Sequence, residues 1–253
     1  MTSDELKNIL PELQETDVSS LGLEDMLCSA YIYDALYNLV SVNGLDMEYG
    51  DRKIYGGKIR QLFELLTGMY RDMESVLERG KILALTGYLI GNSMAVCNRE
   101  FVDRHNVLAD KFISENAGKL LSGSFGNDFE SEKVVYFFVR VVLDYICFCR
   151  EQYRELDVAV SELLDRWAST VEDDGKWDGV TAVQALCRID LMRMYSALFL
   201  DFSREDKIRA AESAYRSQQY CDDIPDRARF CLEVRSVCDA VCGEIQQTVI
   251  EEN

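Results

Sequence analysis

The stretch 131–153, SEKVVYFFVRVVLDYICFCREQY, constrains the fold more than any other part of the chain. Val134, Val135, Phe138, Val141, Val142, Tyr145 and Phe148 recur at three- and four-residue steps, which stacks them along one side of an α-helix. Phe137, Val139, Leu143 and Ile146 widen that stripe most of the way round. A helix with so broad an apolar surface has to be enclosed by other elements, so it is expected at the centre of a bundle. Arg140, Asp144 and Arg150 leave the run too short and too charged to span a membrane. Each of those charges has to meet a partner or a solvated groove.

Nothing else in the chain competes with a helical reading. Pro11 and Pro225 are the only two prolines, so almost nothing breaks helices. No apolar run alternates at period two between turn residues, so no strand is expected. The fold class read from this pattern is all-α, an antiparallel bundle of about nine helices with short connections, forming a single domain over residues 1–253. A chain of 253 residues can bury roughly 70–75% of its unfolded surface, enough for one large core.

In chain order, Ser3 can cap a first helix that Pro11 kinks or ends, and a second helix is expected over 21–42 with Asn43-Gly44 as its stop. A third is expected over 51–79, closed by Gly80, followed by helices over 81–97 and 99–121. The organising helix should run on to about residue 171, since Leu156, Val160, Leu163, Leu164 and Trp167 keep its period. After the loop 172–179 come helices over 180–202, from Ser203-Arg204-Glu205-Asp206 onward, and over 223–250.

The formal net charge of −18 repels nucleic acid and anionic membrane, so the expected partners are proteins, basic clients among them. Nine cysteines, an odd number without a CxxC pair, and no apolar N-terminal segment fit a reducing cytosol with free buried thiols.

Chemistry is thin. His105, the one histidine, has no cysteine or carboxylate at ligand spacing and is expected to be structural or solvated. Cys231, Cys238 and Cys242 share a helical face and read as small buried hydrophobes, and no residue is nominated as the base that Cys147 or Cys149 would need for catalysis. Gly56-Gly57-Lys58 fails as a phosphate loop, because Arg52 stands at the upstream glycine position and Ile59 where Ser or Thr is required. Asp222-Asp223-Ile224-Pro225-Asp226 has the DDxxD form with which helical prenyl-diphosphate enzymes hold Mg²⁺. It serves equally as a helix start, with Asp223 as N-cap, Pro225 in the first turn and Asp226 at N3. A second carboxylate cluster is missing, since Val135 stands where Asn127-Asp128-Phe129-Glu130-Ser131 would need its later acid. The chain is therefore read as a non-enzyme without metal or cofactor.

Five stretches, in order and in register, resemble the 14-3-3 adaptor family. Asp51-Arg52 and Tyr70-Arg71 have the spacing of that family's Glu-Arg and Trp-Arg pairs on its third helix. Arg99-Glu100-Phe101 with Asp103-Arg104 is similar to its Lys-Glu-Tyr-Arg-Glu-Lys. Lys133-Val134-Val135-Tyr136 and Asp144-Tyr145 match its Lys-Val-Phe-Tyr and Asp-Tyr, with two extra residues between them here. Ser203, Glu205, Ala211, Ala214 and Tyr215 fall in step with its Ser-Pro-Glu-Lys stretch and following Ala and Ala-Phe positions, and Asp226 and Arg235 match positions of its last helix.

The resemblance implies a homodimer or heterodimer paired through the N-terminal helices, up to about residue 80, with residues 51–250 walling a concave groove that takes phosphoserine or phosphothreonine peptides. A phosphate brings three acceptor oxygens and about −1.5 to −2 charges, which clustered arginines and lysines meet with paired hydrogen bonds. Carried over residue by residue, the basic positions fall at Arg60, Thr67 and Cys147, so two of three are lost, and the neighbouring tyrosine becomes Phe148. A further basic position falls at Arg140. The groove asparagine of the seventh helix corresponds to Asp190, and the ninth-helix positions to Arg229, Glu233, Val237 and Val241. Arg60, Arg140 and Arg150 could form a rearranged anion site, or the groove takes unphosphorylated segments, or the chain serves as a dimerisation partner. Against the prenyl-enzyme alternative, incubation with Mg²⁺ and prenyl diphosphates is expected to give no turnover. Mg²⁺-dependent product formation abolished by Asp222→Asn would reverse that reading.

Overall fold

The computed structural model describes residues 3–43, 50–92, 97–122, 129–149 and 162–169. All regular structure among them is helical, and no strand occurs. The elements are α1 (Ser3–Glu15), a 3₁₀ turn (Val18–Ser20), α2 (Leu23–Asn43), α3 (Arg52–Met69), α4 (Val76–Asn92), α5 (Arg99–Leu121) and α6 (Phe129–Cys149), with 162–169 also helical. By its internal contacts the chain divides into two units, 1–111 and 112–253, and the boundary falls inside α5. The helices expected beyond residue 171 lie outside the described residues.

In the first unit, α1 neither stops nor breaks at Pro11, which lies inside the helix on its exposed side. Carbonyls at and just past its end accept from side chains. Tyr33 Oη donates to Leu13 O at 2.6 Å, Thr16 Oγ1 to Glu12 O at 2.7 Å, and Lys58 Nζ to Thr16 O. Gly50 has a φ of 97°, and a Cβ there would meet Gln14 Nε2 at 2.0 Å and Tyr55 Oη at 2.7 Å, so only glycine fits. Helix α2 follows the expected span and buries Met26, Leu27, Ala30, Tyr31, Tyr33, Leu36, Tyr37 and Val40, with α3 as its most extensive neighbour.

Helix α3 starts at Asp51, whose carboxylate accepts from Lys53 N at 2.8 Å, and it buries Tyr55, Ile59, Leu62, Phe63 and Leu66. Gly56-Gly57-Lys58 is plain helix within it.

The break expected at Gly80, between helices over 51–79 and 81–97, falls about ten residues earlier. Helix α3 ends at Met69, residues 70–72 turn with Asp72 N donating to Met69 O at 2.9 Å, and α4 begins at Val76. The cause is a second start signal. Ser75 accepts from Glu78 N on its hydroxyl at 3.3 Å and from Arg79 N on its carbonyl at 3.1 Å, and Ser75 with Glu78 has the spacing of a capping box. Gly80, taken from sequence as the stop, is buried within α4. Tyr70-Arg71 consequently sits in the turn after α3 and not along a third helix that also carries Asp51-Arg52.

Every residue from Ile82 to Ile90 is buried, so α4 is enclosed on all sides. Tyr88 meets Tyr31 of α2 with ring centroids 4.8 Å apart. Helix α5 starts as expected, at Asn98, whose side chain accepts from Phe101 N at 3.2 Å. Phe101 stacks on Phe63 of α3 at 4.5 Å.

In the second unit, α6 behaves as its sequence demands: every residue from Val135 to Val142 is buried, as are Asp144 and Tyr145. Phe112 and Phe138 lie with ring centroids 6.2 Å apart, and Leu163, Leu164, Trp167 and Ala168 are buried at helical spacing. Whether residues 150–161 continue α6 lies outside the described residues. No helix among the described residues is long and apolar enough to cross a membrane.

The capping role of Ser75 has a test whose sign decides. Ser75→Ala is expected to lower the unfolding free energy by about 1 kcal/mol in urea denaturation, the usual loss for an N-cap. Within one continuous helix the same change would stabilise, because alanine is the better helix former.

Candidate functional site

Arg60 lies on the exposed side of α3 in the first unit. Its guanidinium acts on a buried group that the sequence did not single out, Cys97 at the entrance to α5, which also feels the buried carboxylate of Asp34 on α2. Asp34 accepts from Asn38 Nδ2 at 3.2 Å. The Cys97 thiol donates to Leu89 O at 3.7 Å, and burial, reinforced by the Asp34 carboxylate and opposed by the Arg60 guanidinium, pushes it up to about 11. At that value it is a thiol and not a nucleophilic thiolate at neutral pH.

Thr67, the position after Arg60 where the resemblance calls for an arginine, is a core residue, 3% exposed. Its hydroxyl donates to Phe63 O at 2.8 Å on its own helix and lies 3.2 Å from Glu64 O. It has no open face from which to meet a ligand.

Arg140 belongs to the second unit and is likewise interior, 3% exposed. Its Nε lies 3.2 Å and 3.4 Å from the two carboxylate oxygens of Asp144, one helical turn further on and 8% exposed. The charge on the apolar helix has therefore found its partner on the same helix, the first of the two outcomes its sequence allowed.

Cys147 and Phe148 are in the last turn of α6, and their side chains lie outside what is described. So do Arg150, Asp190, Arg229, Glu233, Val237 and Val241, together with the Asp222, Asp223 and Asp226 cluster. Among the described residues, no group of three or more His, Cys, Asp or Glu side chains could hold a metal ion.

His105 is structural. It is fully buried, with Nδ1 2.9 Å from Thr86 Oγ1, while that hydroxyl lies 3.0 Å from Ile82 O. Burial pulls its imidazole down to about 4, so the ring is neutral at physiological pH and poorly matched to acid–base work there. The threonine partner sits nineteen positions upstream, too far for any local pattern to announce it. Cys28 and Cys97 are both free thiols, but Cys28 is exposed, against the expectation of buried thiols. It falls on the outer side of α2, where the helix period leaves a cysteine in solvent.

The remaining motif positions of the first unit make ordinary packing and surface contacts. Arg52 places its guanidinium 4.7 Å from the Tyr37 ring centroid and donates to Tyr37 Oη at 2.7 Å. Arg104 bridges Glu64 of α3 and Glu100 of its own helix, and the Arg99–Asp103 pair, 3.9 Å apart, is exposed.

Compared with known proteins, the chain matches no protein-family model, no curated protein and no solved structure.

Because His105 is the only histidine, its titration can be followed by NMR without assignment ambiguity. The imidazole resonance is expected to hold its neutral position from pH 8 down to about 4. Between the unfolded value near 6.5 and about 4, the unfolded chain takes up a proton that the folded chain refuses. Stability should therefore fall as pH drops through that window, by up to roughly 3 kcal/mol, and be indifferent to this group above it. A midpoint near 6.5 would place the ring in solvent and contradict the packing.

Proposed function

We propose that the chain is a divergent 14-3-3-like adaptor, not an enzyme, that binds protein partners without depending on a phosphate group. What favours an adaptor of this type is the order and spacing of the five matching stretches, on a chain whose described residues are all helical. A bundle of about nine helices, a concave groove, pairing through the N-terminal helices and a cytosolic setting are parts of the same proposal.

The phosphate-independent form rests chiefly on the side chains at the basic positions. Thr67 spends its hydroxyl on its own helix, and Arg140 is buried against Asp144. Separating Arg140 Nε from Asp144 would remove a cation from a buried carboxylate, a cost of several kcal/mol. Arg60 is exposed on α3, and a tightly held dianion needs several cations together. The acidic surface further opposes anionic ligands at long range.

Isothermal titration with a phosphoserine peptide of the family's preferred type, beside its unphosphorylated twin, tests the reading. The two affinities are expected to agree within about threefold, less than 1 kcal/mol, and Arg60→Ala is expected to change neither by more than that. Tight binding of the phosphopeptide alone, weakened about a hundredfold by Arg60→Ala, would restore a working phosphate pocket and overturn it.

A further inference from the structure

We draw no further inference here: the strongest candidate, the outward apolar patch of α2 at Ile32 and Ala35, is an exposed helix face, and nothing in the structure shows what covers it.

Discussion

Two helices that touch no solvent along their middles set the terms for everything else. Nine consecutive residues of α4 and eight of α6 are buried, so each helix must be enclosed from every direction and each polar group on it must be satisfied without water. The chain meets part of this demand locally. Thr86 turns its hydroxyl back to Ile82 O, Thr67 to Phe63 O, and Asn116 its amide to Phe112 O, each four residues upstream on the same helix. Arg140 and Asp144 repeat the device with full charges, where the desolvation of each is offset only by the other and by further hydrogen bonds. A core built this way leaves few polar groups reaching out for a ligand.

Charge left at the surface is arranged differently. Lys81 pairs with Glu24 at 2.7 Å and ties α4 to α2, and Arg104 ties α5 to α3 through Glu64. Such exposed or half-exposed pairs contribute a few tenths to about 1 kcal/mol each and weaken with salt. Their main consequence is for recognition: acids outnumber the 27 lysines and arginines, and some of those cations are already engaged, so the surface favours basic or neutral protein partners.

Where a segment's periodicity was long and uninterrupted, its sequence was enough to place it. Helices α2 and α5 begin and end within two residues of expectation, and the enclosure of α6 followed from apolar residues recurring most of the way round it. The break between α3 and α4 was missed because Gly80 is a louder signal than Ser75. A glycine punctuates composition, whereas a cap acts through one hydrogen bond whose donor sits three residues away. Of the two outcomes expected at Pro11, the ending does not occur: the helix runs on to Glu15, with the proline on its exposed side. For the site, residue types were legible but their commitments were not. Nothing in the string of letters says that Thr67 faces the core, that Arg140 is spoken for by Asp144, or that Cys97 lies within the fields of both Asp34 and Arg60. Those facts are tertiary, set by which side of each helix is covered.

The central claim is that the interior cation of α6 belongs to the fold and is not held ready for a ligand. A double-mutant cycle on Arg140→Met and Asp144→Leu, read from urea unfolding, measures it directly. Each single change should destabilise by about 3 kcal/mol or more, and the double variant should recover at least 1.5 kcal/mol of the summed loss, since both charges are then gone together. Two losses that simply add would mean that these side chains do not hold each other, and the account of the pocket given above would fail.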